Sequence, residues 1–279
     1  SRRRHTRYWR DWSSDVCSSD LDVITSIAMF YDLEDPVAFV KGINRFLSSQ
    51  GVWVFEMSYM PRMLELDSYD TICHEHLLYL RLRDIENLLI PKNLEIFDVE
   101  LNETNGGSFR VFVKRKESAR IVSPVVEWLR MKEEIWEKTW DSSIEAFGSR
   151  VIDFKKELKD LILSFKNAKY SIVGFGASTK GNALLQYCDL TNDLMDYIVE
   201  INPKKVGKVT PGTQIPIIGE FEFLANSRTN LHAMGIVLPW HLADSIMSRG
   251  ADEKFKNIPN QFIQPLPRYP RIVSRLPFY

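Results

Sequence analysis

The feature that most constrains the fold is a strand–helix–strand pattern near the start of the chain. Residues 22–29 form a short run of strand length that is rich in β-branched side chains. A helical pattern opens at Asp35 and Pro36, and Gly51 is expected to end the helix. Residues 52–56 then form a second apolar strand. The short links between these elements predict a right-handed crossover between parallel strands.

The next elements are expected to complete only part of a sheet. Residues 82–89 form a short helical pattern that stops before Pro91. Residues 94–100 and 108–114 both alternate apolar and polar side chains, and the intervening Asn-Gly-Gly at 105–107 is typical of a turn, so an antiparallel hairpin is expected. Together these elements predict the second half of a doubly wound α/β domain.

A charged, tryptophan-rich stretch of helical period from residue 122 to residue 167 predicts a connector between two domains. Three strand-like runs follow, each with turn residues and a helical stretch after it, at 170–174, 196–201 and 234–238. They predict a second α/β domain, closed by proline-rich sequence. The predicted division is a tail over 1–21, a partial domain over 22–118, a helical connector over 119–168 and the second domain over 169–279.

Residues 1–21 differ in composition from the rest of the chain. They contain five Arg, three Asp and two Trp but almost no aliphatic side chain, and the basic start is not followed by the apolar region of a signal peptide. Back-translation of these residues gives a DNA sequence that resembles a common short-read sequencing adapter. We therefore interpret them as a non-native, adapter-like tail. We expect the natural sequence to begin near Asp22, inside a domain.

Charge and cysteine content exclude several classes of protein. Without the tail the chain has 31 basic and 34 acidic residues, a formal net charge of −3, which indicates neither nucleic acid nor an anionic membrane as a partner. Cys73 and Cys188 are then the only thiols and provide no disulfide framework, so a cytoplasmic location is expected. No apolar run approaches the roughly 20 residues of a membrane span.

The residues best suited to proton transfer lie between 69 and 79, after the second predicted strand, where open α/β sheets usually bind ligands. The segment concentrates imidazoles, a carboxylate and phenols, which suits the removal of a proton. The candidate catalytic residues are Tyr69, His74, Glu75, His76 and Tyr79. The alternative for His76 alone is a core histidine bonded to a backbone carbonyl. His232 and His241 are isolated in the sequence and are interpreted as structural.

Templates for metal sites do not match this segment. His74 and His76 lack the spacing of the zinc-binding helix motif, which would need a second histidine at the position of Leu78. Cys73 could join the two histidines on zinc, but no second pair of ligands lies at zinc-finger spacing. We therefore predict no metal site.

A second candidate site is the glycine-rich turn that follows residues 170–174. It is not a Walker A loop, which needs Gly-Lys-Ser/Thr where this chain has Thr179, Lys180 and Gly181. It is not a full dinucleotide fingerprint either, because Thr179 occupies the place of the third glycine. One interpretation is a turn that only packs a helix against a sheet. A second interpretation is dinucleotide binding, because Glu200 at the end of the next predicted strand could bind a ribose. Lys180 favours a bound anion, since helix starts disfavour cations. The candidate binding residues in this turn are Gly174, Gly176, Ser178 and Lys180.

Seven segments give the chain a resemblance to a known family. They are 22–25 (Asp-Val-Ile-Thr), 53–56 (Trp-Val-Phe-Glu), 69–76 (Tyr-Asp-Thr-Ile-Cys-His-Glu-His), 105–109 (Asn-Gly-Gly-Ser-Phe), 174–181 (Gly-Phe-Gly-Ala-Ser-Thr-Lys-Gly), 211–216 (Pro-Gly-Thr-Gln-Ile-Pro) and 237–241 (Val-Leu-Pro-Trp-His). In this order the chain resembles the sugar-type C-methyltransferases, which use S-adenosylmethionine, and the resemblance extends over residues 22–279.

The resemblance implies a fold and a missing part. Residues 22–118 would be the C-terminal half of a doubly wound class I methyltransferase domain, and residues 169–279 a Rossmann-like C-terminal C-methyltransferase domain. A full family member would have a small cysteine-rich zinc domain and the first half of the methyltransferase sheet before Asp22. That half holds the methyl donor, so we expect the S-adenosylmethionine site to be incomplete and this chain to be inactive, with zinc only in the absent region.

The resemblance also implies a reaction and roles for individual residues. The acceptor would be a small nucleotide-sugar-like molecule, methylated at a carbon next to a ketone. His76 would be the base, Glu75 would orient it or contact the substrate, and Asn105 is a further substrate-binding candidate. The turn with Lys180 would bind the diphosphate or brace the helix beneath it. Many relatives have Tyr where Cys73 stands, so a phenol donor is absent here.

An alternative function comes from another class of protein. The chain could be a non-catalytic nucleotide-sugar or dinucleotide-binding module that uses only the turn at 174–181. In that case His76 would be dispensable, whereas Lys180→Ala would weaken ligand binding.

Overall fold

The computed structural model describes residues 21–225, 232–248, 259 and 261–274. The adapter-like tail predicted over 1–21 lies outside these residues, except for Leu21. None of the helices in the described ranges combines the length and the apolar character that crossing a membrane requires.

The first part of the fold confirms the predicted parallel crossover. Strand β1 (Leu21–Ile27) leads through helix α1 (Pro36–Phe46) to strand β2 (Leu47–Ser58), and β1 pairs parallel with β2. The Asp35 side chain accepts a hydrogen bond from the Ala38 amide (2.9 Å) and so stabilises the start of α1. The buried face of α1 packs on the sheet.

The prediction that Gly51 ends α1 is wrong. The helix ends at Phe46, and Gly51 lies inside β2 where the pairing with β1 shifts register. A Cβ atom on Gly51 would lie 2.8 Å from the Leu21 carbonyl oxygen, so the close approach of the two strands requires glycine. Glycine marks helix ends and close strand contacts alike, and the sequence pattern does not separate the two.

A hairpin completes the first sheet. Strands β3 (Leu94–Asn102) and β4 (Ser108–Arg115) pair antiparallel, and β4 also pairs antiparallel with β2, which gives the strand order β1-β2-β4-β3. The turn between them holds Asn105 in a left-handed conformation (φ 54°). Helices α2 (Met60–Leu66) and α3 (Leu82–Leu89) precede the hairpin and flank the segment with the candidate catalytic residues. The predicted helix over 82–89 and the predicted hairpin are confirmed.

Two helices follow and pack on different cores. Helix α4 (Pro124–Glu137) buries Val126 and Leu129 against the first sheet. Helix α5 (Trp140–Asn167) packs a stripe of buried side chains on the second sheet: Phe147, Val151, Phe154, Leu158 and Ile162. The three- and four-residue spacing of this stripe is that of one helix face. Both helices lie in the predicted connector, and the exact domain boundaries stay a prediction.

The second sheet confirms the predicted α/β class. Its strands are β5 (Ser171–Phe175), β6 (Tyr197–Glu200), β7 (Ile217–Gly219), β8 (Ala233–Val237), β9 (Gln261–Gln264) and β10 (Arg271–Ser274), in the order β10-β9-β8-β5-β6-β7. All pairs are parallel except β9 with β10. Helices α6 (Thr179–Tyr187), α7 (Glu220–Ala225) and α8 (Ala243–Ser248) follow β5, β7 and β8. The sequence did not predict β7, β9 and β10, because runs of three or four residues carry little periodicity.

A buried carboxylate contacts the starts of helices α2 and α3. Glu133 on α4 is 4% exposed. It accepts hydrogen bonds from three donors: the Leu82 amide (2.8 Å), the Arg83 amide (3.1 Å) and the Tyr59 hydroxyl (2.8 Å). Tyr59 precedes α2 and Leu82 begins α3, so one side chain holds the starts of both helices. Burial raises the pKa of Glu133, whereas the donated hydrogen bonds lower it.

Replacing Glu133 by Ala leaves these three buried donors without an acceptor. We expect the free energy of unfolding to fall by about 2–4 kcal/mol, because each unsatisfied buried donor costs about 1–3 kcal/mol and entering water compensates in part. Glu134→Ala, at an exposed position on the same helix, is the matched control and should change it by at most about 0.5 kcal/mol. Urea denaturation followed by circular dichroism measures both, and equal effects would contradict the role of Glu133.

Candidate active site

His76 lies in the loop between α2 and α3. Its half-buried ring packs against Tyr31, with 4.2 Å between the ring centres. The nearby Thr71 carbonyl accepts from the Cys73 amide (3.1 Å) and from the Tyr79 hydroxyl (3.3 Å). This carbonyl acts on the ring by raising its pKa. The His76 ring thus packs on Tyr31 beside a backbone carbonyl that two other donors hold in place.

The surroundings keep His76 uncharged at neutral pH. Burial lowers the pKa of its imidazole from the ordinary 6.5, the negative charge of Asp32 opposes this, and the positive charge of Lys180 lowers it further. A neutral imidazole carries a proton on one ring nitrogen and a lone pair on the other. His76 can therefore accept a proton, as a general base does.

His74 and Glu75 face outward from the same loop. Both side chains are exposed, and in the part of the chain that the structure describes neither hydrogen-bonds His76. Glu75 acts on His76 through its charge alone. Both residues line a groove of about 870 Å³ whose other wall includes Thr179 and Tyr187. They are thus available to a molecule in this groove rather than to the His76 ring.

Tyr69 lies in the core of the second sheet. Its hydroxyl is 3.2 Å from the Cys188 thiol, and its ring packs edge-on against Phe154. Burial raises the pKa of its phenol. Of the two candidate tyrosines, Tyr79 but not Tyr69 donates a hydrogen bond to the Thr71 carbonyl beside His76.

Two residues that the sequence pattern did not indicate complete the surroundings of His76. Tyr31 and Asp32 lie in the short helical turn after β1, and the carboxyl end of β1 adjoins that of β2. Burial raises the pKa of Tyr31 to about 12, so its phenol keeps its proton. Neighbouring parallel strands end at the same edge of a sheet, and this rule could have identified both residues.

Lys180 brings a positive charge to this region from the second sheet. It lies in the first turn of α6, and its Nζ donates to the Asn105 carbonyl oxygen (2.5 Å) in the β3–β4 turn. No carboxylate of the described chain lies within 4 Å of that nitrogen. Burial lowers the pKa of Lys180, and the Asp70 carboxyl opposes this effect. The binding candidates Lys180 and Asn105 are therefore in contact, and no ion pair neutralises the ammonium.

A buried hydrogen bond lies close to Lys180. Asp70 is fully buried, and its Oδ2 accepts from the indole nitrogen of Trp240 (2.9 Å), which follows β8. Its other oxygen, Oδ1, has no hydrogen-bond partner within the described structure. Burial raises the pKa of this carboxyl, while the charge of Lys180 and the hydrogen bond from Trp240 lower it. The carboxyl of Asp70 is thus fixed by the second sheet.

His241, which is isolated in the sequence, lies near Lys180 in the fold. Its Nδ1 is buried and has no hydrogen-bond partner among the described residues. Burial, and after it the charge of Lys180, lowers the pKa of His241 to about 4. Strands β5 and β8 are parallel neighbours, so the residues that follow them meet at one edge of the sheet. The region therefore holds one ammonium and two uncharged imidazoles, His76 and His241.

The glycine-rich turn packs tightly on the sheet. A Cβ atom on Gly174 would lie 2.8 Å from the Ile198 side chain. Gly176 has φ 83°, and a Cβ atom there would lie 2.8 Å from Pro239. The Ser178 side chain accepts from a backbone amide in the first turn of α6 (2.9 Å) and so caps this helix. These three binding candidates thus all have structural contacts in the turn.

Two backbone amides of this turn already have acceptors in the protein. The Gly176 amide donates to the Val199 carbonyl (2.9 Å), and the Ala177 amide donates to the Glu200 carboxylate (2.9 Å). Glu200 also accepts from two amides that follow β6, so the acid that could hold a ribose is engaged elsewhere. The engagement of these amides and of Glu200 disfavours the dinucleotide-binding alternative.

Comparison with known proteins gives two findings. Residues 103–267 match the family model described as the C-methyltransferase C-terminal domain. Over 245 residues the chain is 26% identical to the C-methyltransferase NovU of Streptomyces niveus, and this alignment covers 88% of the chain and 57% of that protein. The chain therefore spans little more than half the length of this relative.

Lys180→Met removes the charge that acts on both imidazoles. We expect the pKa of His241 to rise from about 4 but to stay below 6.5, because burial, the larger cause, is unchanged. The pKa of His76 should rise as well. Proton NMR titration of the histidine rings measures both, with Lys156→Met, at an exposed position on α5, as the control. An unchanged pKa of His241 in Lys180→Met would show that the charge of Lys180 does not act on it.

Proposed function

The chain belongs to the C-methyltransferase family, and we propose that it carries the acceptor site of an enzyme that moves a methyl group from S-adenosylmethionine to carbon. The proposed acceptor is a small nucleotide-sugar-like molecule, and the proposed target is a carbon beside its ketone. The observation that carries the proposal is the state of His76, a neutral imidazole packed against Tyr31 and close to the charge of Lys180.

Methylation of a carbon beside a ketone begins with the loss of a proton from that carbon. In the proposed reaction His76 takes this proton on its free ring nitrogen. The electron pair of the C–H bond forms a carbon–carbon double bond, and the π pair of the carbonyl moves to oxygen, which gives an enolate. General base catalysis of this kind contributes about 100- to 10,000-fold to the rate. The lowered pKa keeps His76 unprotonated and ready in neutral solution.

The residues around His76 take supporting roles in this proposal. Tyr79 donates to the Thr71 carbonyl and so fixes the backbone beside the His76 ring. His74 and Glu75 line the groove and contact the acceptor.

The residues of the second sheet take the other roles. Lys180, held by the Asn105 carbonyl, meets negative charge on the acceptor. Gly174, Gly176 and Ser178 shape the site through packing and capping and do not touch the acceptor. Tyr69 also lines the groove, and its hydroxyl contacts the Cys188 thiol.

The described residues do not form a site for S-adenosylmethionine. Adenosine-containing cofactors are held in open α/β folds by a glycine-rich turn after a strand and by an acid at a strand end. In the first sheet, the residues directly after β1 and β2 are Ala28-Met29 and Tyr59-Met60, without glycine. In the second sheet, the glycine-rich turn and Glu200 are bonded to each other. We therefore propose that this chain alone does not transfer methyl groups, and we assign it no step that involves the donor.

Calorimetric titration of S-adenosylmethionine into the chain should give no binding heat, even at millimolar donor. A Kd in the millimolar range corresponds to a binding free energy of only about −4 kcal/mol. The physical reason is that the glycine-rich turn and the strand-end acid Glu200 are bonded to each other, and that no glycine directly follows β1 or β2. A thermal melt of the same sample shows that the chain is folded. Micromolar affinity would contradict the proposal and mean that the donor site is complete in this chain.

His76→Gln tests the proposed base without the methyl donor. The chain is mixed with UDP-4-keto-6-deoxyglucose in deuterated water, and NMR follows the exchange of the proton beside the ketone. We expect exchange to be about 100-fold slower in His76→Gln, because the imidazole that accepts the proton is lost. His232→Gln is the control and should keep the rate, because His232 is exposed and directly precedes the first residue of β8, at the end away from the candidate site. Equal rates in the three proteins would count against His76 as the base.

A further inference from the structure

The charge of Lys180 has no partner of opposite sign in the described part of the chain. Its Nζ donates to the Asn105 carbonyl, and no described carboxylate lies within 4 Å. Asp70, the acid whose charge acts on Lys180, accepts its hydrogen bond from Trp240 instead. An ammonium has three N–H donors, so Lys180 has donors left for a further acceptor. A largely buried cation of this kind favours the arrival of a negative charge.

Two negative charges on the proposed acceptor could meet Lys180, namely the diphosphate and the enolate oxygen. A diphosphate at the glycine-rich turn would need free backbone amides. The amides of Gly176 and Ala177 are bonded within the protein, and the turn already holds the Glu200 carboxylate, whose oxygen lies 3.9 Å from the Lys205 ammonium. The Nζ of Lys180 meanwhile reaches across to the β3–β4 turn, on the side of the first sheet. These contacts favour the enolate oxygen.

On this basis, which rests on the proposed function, we propose that Lys180 is a catalytic residue whose ammonium donates a hydrogen bond to the enolate oxygen formed when His76 removes the proton. One C–H bond breaks, its proton goes to His76, and its electron pair forms the carbon–carbon double bond. The carbonyl π pair moves to the oxygen beside Nζ. Lys180 keeps its own protons, and the step needs no further reactant. Fixed donors aimed at a developing oxygen anion are among the largest single contributions to catalysis.

The groups around Lys180 suit this role. The Asp70 carboxyl raises the pKa of Lys180 against the effect of burial and so helps to keep the ammonium protonated. His76 and His241 both have lowered pKa values and are uncharged at neutral pH, so neither competes with Lys180 as a cation. The ammonium is then the positive charge that the enolate oxygen meets.

The test compares Lys180→Met and Lys180→Arg with the unaltered chain in two measurements. The first is the rate of deuterium exchange beside the ketone of UDP-4-keto-6-deoxyglucose at saturating concentration. The second is the Kd of UDP by calorimetry, which reports binding of the nucleoside diphosphate alone. Lys205→Met is the matched control, because it removes another ammonium from the same turn, where Lys205 donates to the Ala177 carbonyl (2.6 Å).

We expect Lys180→Met to slow saturated exchange about 100-fold or more, and Lys180→Arg, which keeps the charge, to retain part of the rate. Both should leave the Kd of UDP within about threefold of the unaltered value, and Lys205→Met should keep the exchange rate within about threefold. Thermal melts report folding, and Lys180→Arg keeps the test decisive if Lys180→Met does not fold.

Two other outcomes would overturn the inference in distinguishable ways. If Lys180→Met exchanges at the normal rate but binds UDP about tenfold more weakly, Lys180 is a diphosphate ligand and the assignment to the enolate oxygen is wrong. If the unaltered chain exchanges no faster than buffer, the proposed function itself fails, and this inference fails with it.

Discussion

The hydrogen bond from the Trp240 indole to Asp70, 2.9 Å long and buried, joins the two sheets at the candidate site. The same indole covers the turn of the β3–β4 hairpin, where a Cβ atom on Gly106 would lie 2.5 Å from the ring. One residue after β8 thus contacts both the loop with His76 and the hairpin turn. Lys180 can reach the Asn105 carbonyl because this contact brings the hairpin turn against the second sheet. The site therefore depends on how the sheets dock.

The docking of the two sheets lowers the stability of the fold and shifts the pKa values at the site. The unpartnered Oδ1 of Asp70 costs on the order of 1–3 kcal/mol. The same burial lowers the pKa values of His76, His241 and Lys180. Charges interact more strongly where water is excluded, so one ammonium is enough to influence both imidazoles. The fold thus buries the Asp70 carboxyl at the position where its charge opposes the lowering of the Lys180 pKa, while the two histidines are neutral.

The sequence predicts those features of the fold and the site that depend on residues close together in the chain. The parallel crossover, the helix over 82–89 and the hairpin follow from periodicity and turn residues, which nearby sequence contains. Gly51 was misread because a strand contact with Leu21 needs glycine as much as a helix end does. The neighbours of His76 in sequence made it a candidate base, and the family resemblance suggested Glu75 as its orienting residue or as a substrate contact. Its observed charge partners Asp32 and Lys180 come from distant segments, and no local pattern contains such contacts.

The charge of Lys180 acts on the proposed reaction in two opposite directions. When His76 accepts the proton, the new positive charge on the imidazole is repelled by the ammonium, and this repulsion contributes to the lowered pKa of His76. The enolate oxygen is attracted by the same ammonium. Because the energy of two charges falls with the inverse of their distance, the ammonium favours the reaction only if the oxygen lies closer to Nζ than the imidazole does. The acceptor must therefore bind with its ketone oxygen toward Lys180 and its C–H bond toward His76, which fixes its orientation in the site.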